Sequence, residues 1–206
     1  FIRRVLGGRK RRTDVMVCIP SGATQVERSA VEQAARSAGA GRAFLIDEPL
    51  AAAVGAGLPV AESTGSLVVD VGGGTSEMGV TALGGLVVSE AVRVGGYDLD
   101  EALVRSVQDE QRLLIGQEQA ETLKMTIGSA TPGSEALDEA EVAGRDLSTG
   151  LMRRRSVSAE QVRKAFQRPL RQIVDGVKDV LERTPPELSG DVSGRGLTLA
   201  GGGALL

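Results

Sequence analysis

The sequence predicts an α/β protein of two subdomains with mixed sheets flanked by helices, and three observations carry that prediction. In the first third of the chain, short aliphatic runs alternate with stretches of helical periodicity, the pattern of parallel strands joined by crossover helices. Two further aliphatic runs, Leu67 to Val71 and Leu197 to Ala200, each lead into three consecutive glycines at 72–74 and 201–203. Between them, Met78, Val80 and then Leu86-Val87-Val88 flank Gly84-Gly85, which reads as a β-meander and not as a strand followed by a helix.

Composition bounds what such a chain can do. Its 206 residues suffice for one large or two small cores. Aromatic residues are 2% and Trp is absent, so the core is aliphatic and stacking-based recognition of single-stranded nucleic acid has no platform. A net charge of −3 also predicts no nucleic-acid partner. With no His and one Cys, the chain lacks Ser/His and Cys/His catalysis, His-ligated metals and an internal disulfide framework. That fits a reducing, cytosolic setting. No apolar run approaches the roughly 18 residues of a membrane span, and no signal-peptide pattern occurs. The chain starts at Phe1 without Met and stops at Leu206 inside an apparent motif, so it reads as an internal fragment, incomplete at both ends.

Each element has its own local signature. Phe1 to Arg12 carry six basic residues, a solvated helix end and loop or a weak attraction to an anionic membrane surface. Val15 to Ile19 reads as a buried strand with Cys18 as a small core hydrophobe. Thr24 and Glu27 form a capping box, and Val26, Ala30, Val31, Ala34, Ala35 and Ala38 follow at helical spacing until Gly39 and Gly41. Arg42 to Ile46 is the next strand, then Leu50 to Ala56 a helix with Pro49 at its first position. Leu58 to Gly65 reads as a linker into a second unit, which opens with Leu67 to Val71, a strand buried on both faces. Asp98 reads as the cap of a helix running to about Leu114, with Glu101 three residues later. A second helix follows Gly116 with Ala120, Leu123 and Ile127 inward. Residues 129–157 read as polar and irregular, with one strand near Ala140 to Val142 and the triple Arg153-Arg154-Arg155. Ser158 to Gln161 is another capping box, opening a helix that Pro169 breaks or restarts. Leu170 to Leu181 is a final helix ending before Thr184-Pro185-Pro186, and Gly196 to Ala200 a last buried strand.

The stretch Asp70-Val71-Gly72-Gly73-Gly74-Thr75 carries the chemistry. Glycines let the backbone approach a ligand and aim its N–H groups at it, and such a concavity favours phosphate. Asp70, where the strand hands over to the turn, is placed to hold a divalent cation directly or through water. A dinucleotide fingerprint is excluded because Glu77 stands where the last glycine belongs and a strand follows, and no P-loop Gly-Lys-Ser/Thr triplet exists. What remains is a strand–Asp–glycine hairpin that grips phosphates.

That hairpin resembles the second phosphate loop of the actin, heat-shock chaperone and sugar kinase ATPase superfamily. Within it, the chain resembles the bacterial actins of the MreB/Mbl family, collinearly from about residue 13 to 206. The stretches that carry the likeness are Cys18 to Gly22 with Glu27-Arg28, Ile46 to Ala53, Arg93 to Gly96, Glu121 to Lys124, Gly144 to Leu151, Arg183 to Leu188 and Leu199 to Leu206. The resemblance implies an actin-like ATPase (ribonuclease H-like) fold. Residues 1–65 would be the second part of the N-terminal subdomain, without its first phosphate hairpin. Residues 66–206 would be the C-terminal subdomain, with a smaller insertion at about 101–166. It implies ATP and Mg²⁺ as cofactors. Asp70 would hold Mg²⁺ through water, Gly72, Gly73 and Gly74 would bind the β- and γ-phosphates, and Gly95 and Gly96 would approach the sugar-phosphate part. Glu121 and Lys124 would clasp ribose and adenine, and Gly201, Gly202 and Gly203 would form the floor under the adenosine. Glu48, orienting the attacking water, and Thr75, near the γ-phosphate, take the catalytic roles.

The family likeness further implies a cytoplasmic protein that polymerises with itself into filaments on the inner face of the cell membrane. There it would work with cell-wall elongation proteins to direct wall synthesis and rod shape. Slow Mg-dependent ATP hydrolysis is expected of the complete protein and not of this chain alone. The rivals are a soluble sugar or acid kinase of the same superfamily and a nucleotide-binding scaffold without hydrolysis. Departures from the family pattern are Tyr97, where Asp is common, Gly116-Gln117-Glu118-Gln119 in place of Gly-Glu-Arg-Thr, and the basic triple at 153–155.

Overall fold

The computed structural model describes Arg4 and residues 13–133 and 137–206, and its contacts divide the chain into two units. Unit 1 comprises Phe1–Asp70, Glu77–Ala91 and Asp179–Ala200; unit 2 comprises Val71–Ser76, Val92–Lys178 and Gly201–Leu206. Apart from Arg4, the basic stretch at 1–12 lies outside the described residues.

In unit 1, strands β1 (Asp14–Ile19) and β2 (Arg42–Asp47) pair in parallel, Asp14 opposite Arg42 and Ile19 opposite Asp47. The crossover helix α1 (Gln25–Ser37) starts on the expected box: Glu27 N–H donates to Thr24 Oγ1, and Thr24 N–H donates to Glu27 Oε2 at 2.8 Å. Helix α2 (Glu48–Gly55) begins two residues earlier than its apolar run suggests, which puts Glu48 itself on the first turn. β1 is not a buried strand, and Cys18 is exposed, not a core hydrophobe. Burial alternates along β1: Asp14, Met16 and Cys18 are exposed, whereas Val15, Val17 and Ile19 are wholly or partly covered. Val26, too, points outward, because the covered stripe of α1 runs through Val31 and Ala35.

A four-stranded sheet follows in the order β5-β4-β3-β9: β5 (Gly85–Val92), β4 (Ser76–Ala82), β3 (Ser66–Val71) and β9 (Leu197–Ala200). β3 is buried except at Asp70, as its unbroken aliphatic run requires, and β4 is buried throughout. The meander turns on Leu83 and Gly84, at φ 52° and 81°, the two left-handed positions of a tight hairpin loop. Gly79 of β4 has no room for a side chain. A Cβ there would meet Leu86 Cδ2 at 2.9 Å, Val88 O at 3.1 Å and Pro49 Cβ of α2 at 3.3 Å. β9 pairs in parallel with β3, Leu67 opposite Leu197 and Asp70 opposite Ala200. It is a sheet edge, so Leu197 and Leu199 are exposed and the expectation of a buried last strand is corrected. Before it stands a helix the sequence reading lacked, α6 (Pro186–Arg195). Pro185-Pro186 starts this helix instead of only ending the previous one, because proline is tolerated in a first turn whose N–H groups have no partner.

Unit 2 is built on one apolar cluster that includes Leu99, Leu103, Val107, Leu113, Leu123, Ile127, Val157 and Phe166. Helix α3 (Gly96–Gln111) is capped at Gly95; Asp98 is not the cap but sits in the first turn, its carboxylate accepting the Gly95 N–H at 2.8 Å. Arg112, at φ 54°, ends the helix, so Leu113-Leu114 form a short strand, β6, and not a last helical turn. Helix α4 (Gln117–Ile127) buries Ala120, Leu123 and Ile127 as expected. The region read as irregular holds a full hairpin, β7 (Glu139–Asp146) and β8 (Met152–Ser158), paired antiparallel in a sheet of order β6-β7-β8. β8 escaped the reading because Arg153, Arg154 and Arg155 are all exposed, leaving only Val157 deeply buried. Helix α5 (Ala159–Arg183) opens on the predicted box, Gln161 N–H donating to Ser158 Oγ and Ser158 N–H to Gln161 Oε1. Pro169 does not break it. Val162, Phe166, Pro169, Ile173, Gly176 and Val180 are all buried, a stripe with three- and four-residue spacing that runs through the proline.

Candidate functional site

Three glycine turns meet in unit 2. Gly72 N–H donates to Thr75 O at 2.9 Å and closes the turn after β3. A Cβ on Gly203 would collide with the Val71 side chain, so the turn after β9 packs directly on the end of β3. The third turn, Gly95-Gly96, is bonded to the first: Gly96 N–H donates to Gly72 O at 2.9 Å and Tyr97 N–H to Gly73 O at 2.8 Å. Gly95 has to be glycine for this contact, since a Cβ would stand 2.7 Å from Gly72 O, Gly73 C and Gly73 O.

These turns wall a pocket of about 490 Å³, within the range usual for small-molecule sites. Of the predicted residues, Gly72, Gly73, Gly96, Glu121, Lys124, Gly202 and Gly203 line it; Gly74, Thr75, Gly95 and Gly201 do not. Helix α4 sets Glu121 and Lys124 one turn apart on the pocket side. Lys124 Nζ donates to Gly96 O at 3.0 Å and to Asp100 Oδ2 at 2.9 Å, with Oδ1 at 2.8 Å. The two side chains are only 13% and 5% exposed, so the cation is held rigidly at the pocket by a buried partner. Sequence reasoning missed Asp100. Its signal was a carboxylate beside Leu99 on the apolar stripe of α3, where a solvated Asp does not belong.

The remaining predicted residues, Glu48 and Asp70, lie in unit 1. There they share an electrostatic neighbourhood with Glu77. Burial pushes the Glu48 carboxyl above its ordinary range, and the Glu77 and Asp70 charges push it the same way. Burial likewise raises Asp70. Glu77 is 1% exposed; its Oε2 accepts from Ser21 Oγ at 2.7 Å and from Ser21 N–H at 3.2 Å, while Oε1 is buried without a hydrogen-bond partner. Ser21 and Glu77 are the second omission of the sequence reading, which used Glu77 only to exclude a dinucleotide motif. The raised proton affinity of Glu48 and Asp70 favours a proton or a cation beside them. Among the described residues no group of three or more His, Cys, Asp or Glu forms a metal cage. A strand-end Asp and an unsatisfied buried carboxylate oxygen fit an ion that keeps most of its waters, as Mg²⁺ does.

Comparison with known proteins bears on both halves. A family model described as "MreB/Mbl protein" matches residues 1–206. The cell shape-determining protein MreB of Escherichia coli (strain K12) is 52% identical over 192 residues, 93% of this chain and 55% of that protein. Mbl of Bacillus subtilis (strain 168) is 38% identical over 192 residues, 93% of this chain and 57% of its own length. The chain thus spans little more than half of these relatives. Among solved structures, MreB5 of Spiroplasma citri bound to ADP superposes with a TM-score of 0.94 at 33% identity, over 100% of this chain and 63% of that one. The MamK double helical filament matches at 0.79 and 21% identity, over 98% of this chain and 61% of that one, a likeness of fold. The fold is therefore the actin-like α/β arrangement that the family resemblance implies, and the chain belongs to the MreB/Mbl family.

Proposed function

We propose that the pocket of unit 2 binds an adenine nucleotide, and that the whole protein is an ATP-dependent actin-like filament protein. The observation that carries this reading is Lys124. It is a cation fixed by Asp100 and the Gly96 carbonyl inside a pocket walled by closely packed glycine turns. A nucleotide suits such a site: the glycine turns let the backbone approach the phosphates, and Lys124, its charge met by Asp100, is a fixed donor beside the pocket. Gly72, Gly73 and Gly74 with Thr75 take the phosphates, Gly95 and Gly96 the sugar-phosphate part, Glu121 and Lys124 the ribose and base, and Gly201, Gly202 and Gly203 the adenosine. Support comes from MreB5 of Spiroplasma citri, solved with ADP and with AMPPNP bound.

In the same reading Asp70 holds Mg²⁺ through water, and Glu48 orients the attacking water in the complete protein. The raised proton affinity of Glu48 suits a group that receives a proton. When bound, Mg²⁺ neutralises phosphate charge. Residues 1–65 then belong to the N-terminal actin-like subdomain and 66–206 to the C-terminal one, with an insertion at about 101–166. The cellular role we propose is that of the curated relatives, named cell shape-determining proteins. It consists of cytoplasmic filaments on the inner membrane face that direct wall synthesis with elongation proteins. No helix among the described residues is long and apolar enough to cross a membrane. Electron microscopy of the full-length protein on a lipid layer tests this. Filaments that require ATP are expected, and a protein that stays monomeric at high concentration with ATP and lipid contradicts the reading.

A further inference from the structure

We propose that Tyr97 is a specificity-determining residue of the unit 2 pocket, its ring forming the wall against which the sugar–phosphate portion of a nucleoside diphosphate lies. The inference rests on the nucleotide reading above and adds a contact that reading does not contain. Tyr97 is the second residue of α3, fixed by its N–H bond to Gly73 O. Its ring lies across the glycine turn. A Cβ on Gly73 would meet Cε2 at 3.1 Å and Cζ at 3.2 Å, and one on Gly74 would meet Cδ2 at 4.0 Å. Yet the residue is 68% exposed, so the ring is held at the pocket without the burial that ordinarily justifies an aromatic side chain. Its hydroxyl makes no hydrogen bond among the described residues, which leaves a donor free beside the turn.

On the other side of the same backbone, a Cβ on Gly96 would stand 3.4 Å from Lys124 Nζ. Ring, phenol and ammonium therefore converge on one pocket. An aromatic face covers the C–H surface of a ribose at low entropic cost, and a phenol O–H donates to a phosphate or ribose oxygen.

The chain has one Tyr and no Trp, so tyrosine emission reports on Tyr97 alone. Calorimetry of the 206-residue chain with ADP, on wild type, Tyr97→Phe and Tyr97→Ala, is read together with that emission. Expected are an emission change with ADP but not with inorganic phosphate, and an ADP Kd weakened about fivefold in Tyr97→Phe. Tyr97→Ala should weaken it further, with thermal unfolding of the ligand-free variants unchanged because the side chain is exposed. Wild-type affinity in both variants overturns the inference, as does constant emission while calorimetry records binding, or an equal emission response to inorganic phosphate. If wild type binds no ADP at all, the pocket reading itself fails and this inference with it.

Discussion

An ammonium and a carboxylate taken out of water need each other, and Lys124 with Asp100 shows the need clearly. Removing one partner strands the other charge, so Asp100→Asn should cost about 3 kcal/mol in a urea titration. The double variant with Lys124→Met should lose less than the two single losses added together. Strict additivity would mean that the pair is not coupled. Glu48 presents the opposite case. Its folded proton affinity exceeds that of the unfolded chain, so between the ordinary carboxylate range and the raised value the folded state binds more protons. Stability then falls as pH rises through that window, and Asp70 acts in the same direction. The urea midpoint of wild type should drop across it, and Glu48→Gln should flatten the drop; parallel slopes would show that Glu48 does not titrate there. At this scale the glycine turns were legible because backbone approach is a local property, whereas Glu121 and Lys124 were singled out by the family resemblance and only their one-turn spacing is local. The pairings of Asp100 and Glu77 were not legible, since their partners, Lys124 and Ser21, lie 24 and 56 residues away.

Elements announce themselves when their signals are local. The boxes at Thr24 and Ser158 fixed two helix starts, and the aliphatic runs fixed β1, β2 and β3. Where solvent or packing outweighs propensity, reading fails. β8 hides behind exposed arginines, and its strand identity comes from pairing with β7. Pro169 is carried within α5 because a continuous buried stripe outweighs one missing N–H. Cys18 is exposed because only alternate residues of β1 are covered, a fact of tertiary context. The close approach of α2 to β4 is likewise invisible in Gly79 alone. Gly79→Ala should destabilise by about 1–3 kcal/mol through overpacking against Leu86, Val88 O and Pro49, measured by thermal unfolding. An unchanged melting temperature would mean that the sheet and helix yield freely.

At the scale of the molecule, the order of strands does the organising. β3 and β9 are parallel neighbours with Asp70 opposite Ala200, so two glycine turns far apart in sequence follow the same end of adjacent strands. The opening fold class was legible because both turns and both strands are written in the chain. Unit 1 takes up β3 to Asp70 and recovers the chain again at Asp179–Ala200, contacts between segments far apart in sequence. The contact units put the predicted pocket residues in unit 2 and the carboxylate group in unit 1. Equilibrium dialysis of labelled ADP against wild type, Lys124→Met and Glu48→Gln tests the central claim most directly. The account predicts that wild type and Glu48→Gln bind alike while Lys124→Met loses at least about tenfold in affinity. Undiminished binding by Lys124→Met would contradict it.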